Sequence, residues 1–63
     1  MSPKAQRLVE LTKELADLIP AFPGTPRGEK FAKIEAEVVK ISESLSPAEM
    51  QEVNDTLDIF FET

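Results

Sequence analysis

The chain of 63 residues has room for one domain, so we expect 1–63 to form a single domain with a modest core. It contains no cysteine and no histidine, which excludes disulfide bonds, thiolate metal sites and imidazole-activated nucleophiles. The net charge of −5 is unevenly distributed, because 41–63 contains six acids and no base.

The first helix is predicted to begin at Pro3, directly after Ser2, and to end near residue 19. Proline at the first helical position loses no hydrogen bond, and the preceding hydroxyl can cap the first turn. One apolar face follows at alternating spacings of three and four residues, formed by Leu8, Leu11, Leu15 and Leu18. A Ser/Thr-Pro phosphorylation site is the alternative interpretation of this pair and of the two similar pairs further along the chain.

The second helix is predicted over 26–44, behind the pair Thr25–Pro26. The segment PAFPGTPRG separates it from the first helix, since proline and glycine interrupt helices. We expect Phe22, an aromatic residue within this segment, to be buried against the end of the bundle. The apolar face of the second helix comprises Phe31, Ile34, Val38, Ile41 and Leu45.

The third helix is predicted over 47–61, and Ser46 with Glu49 matches a capping box, in which each residue bonds the other's backbone amide. Its apolar face comprises Met50, Val53, Leu57 and Phe60. The short connection before it makes the second and third helices antiparallel neighbours. The predicted fold is therefore all-α, a small antiparallel three-helix bundle, with a homodimer as the expected assembly for so small a core.

Two groups of residues lie outside the apolar faces that are predicted to form the core. On the second helix, Ala32, Ala36 and Val39 form a strip of small side chains that favours self-association. On the third helix, Ile59 falls on the face opposite the core among carboxylates. The predicted partner-binding residues are Glu52, Asp55, Asp58, Ile59 and Glu62, and they suit a partner with a basic surface.

The sequence favours binding over catalysis. It has no phosphate-binding glycine loop and no calcium loop, so we expect no cofactor and no metal. The third helix would repel a nucleic acid duplex, so direct DNA binding is disfavoured. The absence of cysteine and of long apolar runs favours a cytoplasmic protein that does not enter a membrane.

The leading functional hypothesis is a small non-enzymatic regulator or adaptor, of bacterial or phage-like size, that docks on another protein and can thereby inhibit it. A structural, dimerising subunit of a larger assembly is the first alternative. The second alternative is an acidic mimic of nucleic acid that occupies a basic site on another protein.

Overall fold

A computed structural model describes residues 1–62 and contains three α-helices. Helix α1 comprises Pro3–Leu18, α2 comprises Pro26–Ser44 and α3 comprises Pro47–Glu62. No strand is present in this part of the chain. The predicted all-α, antiparallel three-helix bundle is confirmed, and the predicted helix ends differ from the observed ones by a single residue in α1 and α3.

Each helix begins at a hydroxyl–proline pair whose hydroxyl caps the first turn. The side-chain oxygen of Ser2 accepts the Ala5 amide at 3.2 Å, and that of Thr25 accepts the Gly28 amide at 3.0 Å. The capping box of α3 is also present, because the Ser46 hydroxyl accepts the Glu49 amide and a Glu49 carboxylate oxygen accepts the Ser46 amide, both at 3.2 Å. These bonds satisfy amides that have no acceptor within the helix.

Helix α1 is the central element, because it packs against both α2 and α3, whereas α2 and α3 contact each other little. The pair Arg7–Glu37, at 3.7 Å, joins α1 to the antiparallel α2. The Ser2 hydroxyl donates to the Glu49 carboxylate at 2.5 Å, so α1 and α3 begin side by side. The prediction that α2 and α3 are antiparallel is confirmed, but most of their packing partners lie on α1.

The most deeply buried part of the core lies in the half of the bundle where α1 and α3 begin. Its centre is formed by Ala5, Leu8, Val9 and Val53, and side chains of α2 and α3 pack against it. In the other half, Leu15 and Leu18 of α1 and Phe31 of α2 are only partly buried. The most deeply buried side chains are therefore concentrated towards the end where α1 and α3 begin.

The α1–α2 connection folds back on the first turn of α2. Gly24 adopts φ +84°, a conformation that favours glycine. The Thr25 hydroxyl donates to the carbonyl oxygen of Phe22 at 2.6 Å. The side chain of Phe22, however, is 65% exposed. The prediction that Phe22 is buried against the end of the bundle is wrong, because the backbone bonds hold the peptide and leave the ring facing outward.

Candidate protein-binding surfaces

The outer face of α3 consists of the five predicted partner-binding residues, Glu52, Asp55, Asp58, Ile59 and Glu62, all of which are exposed. Glu52, Asp55, Ile59 and Glu62 recur at spacings of three or four residues, so they lie on one side of the helix, and Asp58 lies on its flank. Ile59 is 68% exposed. Helix α3 thus presents an isoleucine surrounded by carboxylates on the side that faces away from the core.

The carboxylates of the outer face differ in their surroundings. Glu52 lies 3.7 Å from the amino group of Met1, and Asp55 accepts a hydrogen bond from the Gln51 side chain at 2.9 Å. Within residues 1–62, no basic group lies within ion-pair distance of Asp58 or Glu62. Negative charge near a helix C-terminus is unfavourable by about 0.3–1 kcal/mol, so a cation supplied by another molecule would be stabilised there.

Four exposed apolar side chains that were not predicted as a group lie towards the end where α1 and α3 terminate. We call them the aromatic end: Ile19, Phe22, Phe60 and Phe61. The two neighbouring rings of α3 meet edge to face at 5.0 Å, and the Lys13 ammonium lies 4.7 Å from the centre of the Phe60 ring. Phe60 is 41% exposed, so its prediction as a buried core residue is wrong. Helix α2 does not close over this part of α3.

The strip formed by Ala32, Ala36 and Val39 on α2 is also exposed. Ala36 borders an open depression of about 630 Å³ between the start of α1 and the second half of α2. The depression is lined by Lys4, Ala36, Glu37, Lys40, Ile41 and Ser44. A neighbouring helix could approach the small side chains closely, but the depression has no enclosed floor suited to a small molecule.

The Ser2–Glu49 contact joins the caps of two helices and is a structural feature rather than a binding site. Hydrogen bonds from Ser2 and Ser46, assisted by the charge of Lys4, lower the pKa of Glu49 below its ordinary value of 4.5. These bonds stabilise the ionised carboxylate and therefore favour its loss of a proton. The charged form of Glu49 is thus the form that stabilises the junction of α1 and α3.

We expect this junction to weaken in acid. Because the pKa of Glu49 is lower in the folded chain, the unfolded chain takes up the proton first, and the stabilisation is complete above pH 4.5 and lost as the pH falls below it through the folded value. Urea unfolding of the wild type and Glu49→Gln, from neutral pH to pH ~3, should show the difference in unfolding free energy shrinking. Glu14→Gln removes an exposed carboxylate without removing a cap and is the control. If the difference in unfolding free energy between the wild type and Glu49→Gln stays constant with pH, the ionised Glu49 carboxylate does not stabilise the junction.

The sequence pattern located the outer face of α3 and the strip on α2, but it missed the aromatic end. The available signal was Phe22, which lies between two prolines, together with the pair Phe60 and Phe61 near the end of α3. Periodicity assigns apolar residues of a helix to an inner face and does not show whether a neighbouring helix reaches them, so it predicts a buried position for Phe60.

Within residues 1–62, no three acidic side chains are grouped so that they could hold a metal ion. Over the same residues, none of the three helices combines the length and the apolar character that crossing a membrane requires. Comparison of the chain with models of protein families, with curated proteins and with solved structures gives no match.

Proposed function

We propose that the protein is a small non-enzymatic adaptor or regulator of the cytoplasm that docks on another protein through the outer face of α3. The observation that supports this most directly is the exposure of Ile59 at the centre of a carboxylate-rich face. An exposed isoleucine gains free energy when a partner covers it, and the charges around it select which partner can do so.

The charges of α3 indicate the chemistry of that partner. Residues 41–63 contain six acids and no base, so the partner surface that fits has lysine or arginine around an apolar centre. In such interfaces the apolar anchor supplies most of the affinity, and the charges mainly accelerate encounter. Binding of this protein to its target would occlude the target's basic surface, which is how it would inhibit.

The test is to remove the anchor without disturbing the fold. Ile59→Ala should leave the melting temperature nearly unchanged, because the side chain lies away from the core, and it should weaken partner binding by at least about fivefold. The partner would first be captured from extracts of the source cells with the wild-type chain and identified by mass spectrometry. Its affinity for both chains would then be measured by titration calorimetry.

Val39→Ala is the control, because Val39 is 50% exposed on α2 and lies in neither the outer face of α3 nor the aromatic end. The control should bind the captured partner with wild-type affinity. If both variants bind normally, the outer face of α3 is not the docking surface. If Ile59→Ala melts several degrees lower, Ile59 belongs to a packed interface and our assignment of its face is wrong.

Salt dependence separates this function from acidic mimicry of nucleic acid. An interface anchored by an apolar side chain keeps most of its affinity at high ionic strength, whereas binding that replaces phosphate contacts weakens steeply with added salt. Complexes measured at low and at high salt should therefore differ little in affinity. A steep loss would favour the mimic.

A further inference from the structure

The half of the bundle where α1 and α3 end is incompletely covered. Leu15 and Leu18 of α1 and Phe31 of α2 are only partly buried. Beyond them lie the more exposed side chains of the aromatic end, of which Ile19, Phe22 and Phe61 are each more than half exposed. Because α2 and α3 contact each other little, no part of residues 1–62 closes this region.

The accessible surface of the chain agrees with an uncovered region. It measures 4535 Å² for a mass of 7.0 kDa, whereas a compact monomer of that mass exposes about 4,000 Å². The excess of roughly 500 Å² is close to the area that each partner contributes to a small protein–protein interface. The surplus exposure is thus large enough to be relevant to association.

The charges that border this region have opposite signs on its two sides. The start of α2, 26–33, contains three bases and one acid, whereas the end of α3, 55–62, contains three acids and no base. Arg27 and Lys30 are exposed near a helix N-terminus, and Asp58 and Glu62 are exposed near a helix C-terminus. Each pair has the sign that its own helix dipole disfavours, so each would be stabilised by the other.

We propose that two copies of the chain associate through their aromatic ends around a two-fold axis that places α2 of each copy opposite α3 of the other. A two-fold interface requires a surface that complements itself. The aromatic end meets this requirement, because its basic side and its acidic side exchange places under such a rotation. Arg27 and Lys30 of one copy then lie against Asp58 and Glu62 of the second copy, and the apolar side chains between them leave water.

This dimer interface overlaps only the edge of the surface proposed for an external partner. Ile59 faces away from the core and remains outside the dimer, and the two surfaces have only Asp58 and Glu62 in common. The dimer also differs from one formed by the strip Ala32, Ala36 and Val39, and that strip provides the control in the experiment.

Sedimentation equilibrium at micromolar concentration should show a dimer of the wild-type chain. Phe22→Ser should weaken the dimer at least about tenfold, because it removes an exposed ring from the interface and leaves the core intact. Val39→Glu should leave the dimer unchanged. A wild-type chain that stays a monomer throughout this range overturns the proposal, and so does a dimer that Val39→Glu dissociates and Phe22→Ser does not.

Charge reversal gives a second test that depends on contact between two molecules. One variant carries Arg27→Glu with Lys30→Glu, and the other carries Asp58→Lys with Glu62→Lys. Each alone should be monomeric, since like charges then oppose each other twice, and an equimolar mixture should form a one-to-one dimer. Both variants should fold, because each reversal gives the helix terminus the charge that its dipole favours.

Rescue on mixing is the decisive result, because repulsion within a single chain cannot be relieved by adding another chain. Circular dichroism melting confirms that each variant is folded before it is mixed. If the separate variants still dimerise, or if the mixture stays monomeric while both are folded, the proposed arrangement of α2 against α3 is wrong.

Discussion

Replacement of Leu8 with alanine should lower the unfolding free energy by about 2–5 kcal/mol, the range for a leucine truncated in a packed core. Leu8 is 3% exposed and lies in the cluster formed with Ala5, Val9 and Val53. In a domain this small the core supplies few kcal/mol of net stability. We therefore expect Leu8→Ala to be largely unfolded at 37 °C, as measured by urea titration and by thermal melting.

Leu15→Ala is the matched control for this change. It removes the same atoms from the same helix, but Leu15 is only partly buried, so its loss should cost clearly less than that of Leu8. Equal losses would mean that both halves of the bundle are equally packed. That result would contradict the burial pattern on which the proposed dimer is based.

Gly28→Ala should destabilise the protein, although alanine normally stabilises a helix relative to glycine by about 1 kcal/mol. Gly28 lies in the first turn of α2, and a Cβ atom there would lie 1.9 Å from the carbonyl oxygen of Phe22. That oxygen belongs to the backbone and is held by the Thr25 hydroxyl, so the α1–α2 connection would have to move. We expect a loss of about 1–3 kcal/mol, as for other overpacked sites, measured by urea unfolding.

The reverse exchange on the same helix is the control for Gly28. Ala32→Gly, at an exposed position of α2, should cost about 1 kcal/mol through backbone entropy alone. Together, the two results would show that alanine gives the more stable protein at residue 32 and glycine gives the more stable protein at residue 28. A gain in stability from Gly28→Ala would show that the connection does not pack against the first turn.

The sequence was sufficient to predict all three helices because every one begins with a hydroxyl–proline pair and continues with an apolar stripe of helical period. Caps such as Ser46 with Glu49 are local features, and local spacing determines them. The error at Phe22 arises because backbone bonds fix the α1–α2 connection with the ring outward, whereas the error at Phe60 arises from the spacing of the helices. Whether an apolar side chain is covered depends on how closely two other helices approach each other, and no local pattern specifies the gap between α2 and α3.

Local sequence patterns were also sufficient for one of the candidate binding surfaces and insufficient for the other. The outer face of α3 was predictable, because the position of Ile59 opposite the apolar stripe follows from the helical period. The opposite charges around the aromatic end were not, because they border one region only when α2 and α3 are placed on the two sides of α1. Arg27 and Glu62 are far apart in the chain, and only the tertiary arrangement brings the start of one helix and the end of the other to the same end of the bundle.

An odd number of antiparallel helices gives the molecule two unlike ends, and this has a consequence for how its sequence can change. The end with the shared caps contains the tightest packing, so substitutions there alter the fold. The opposite end contains exposed rings and charges that contribute little to the unfolding free energy. In the proposed assignment, recognition and folding depend on different residues, so new binding specificities can arise at one end while the scaffold at the other remains intact.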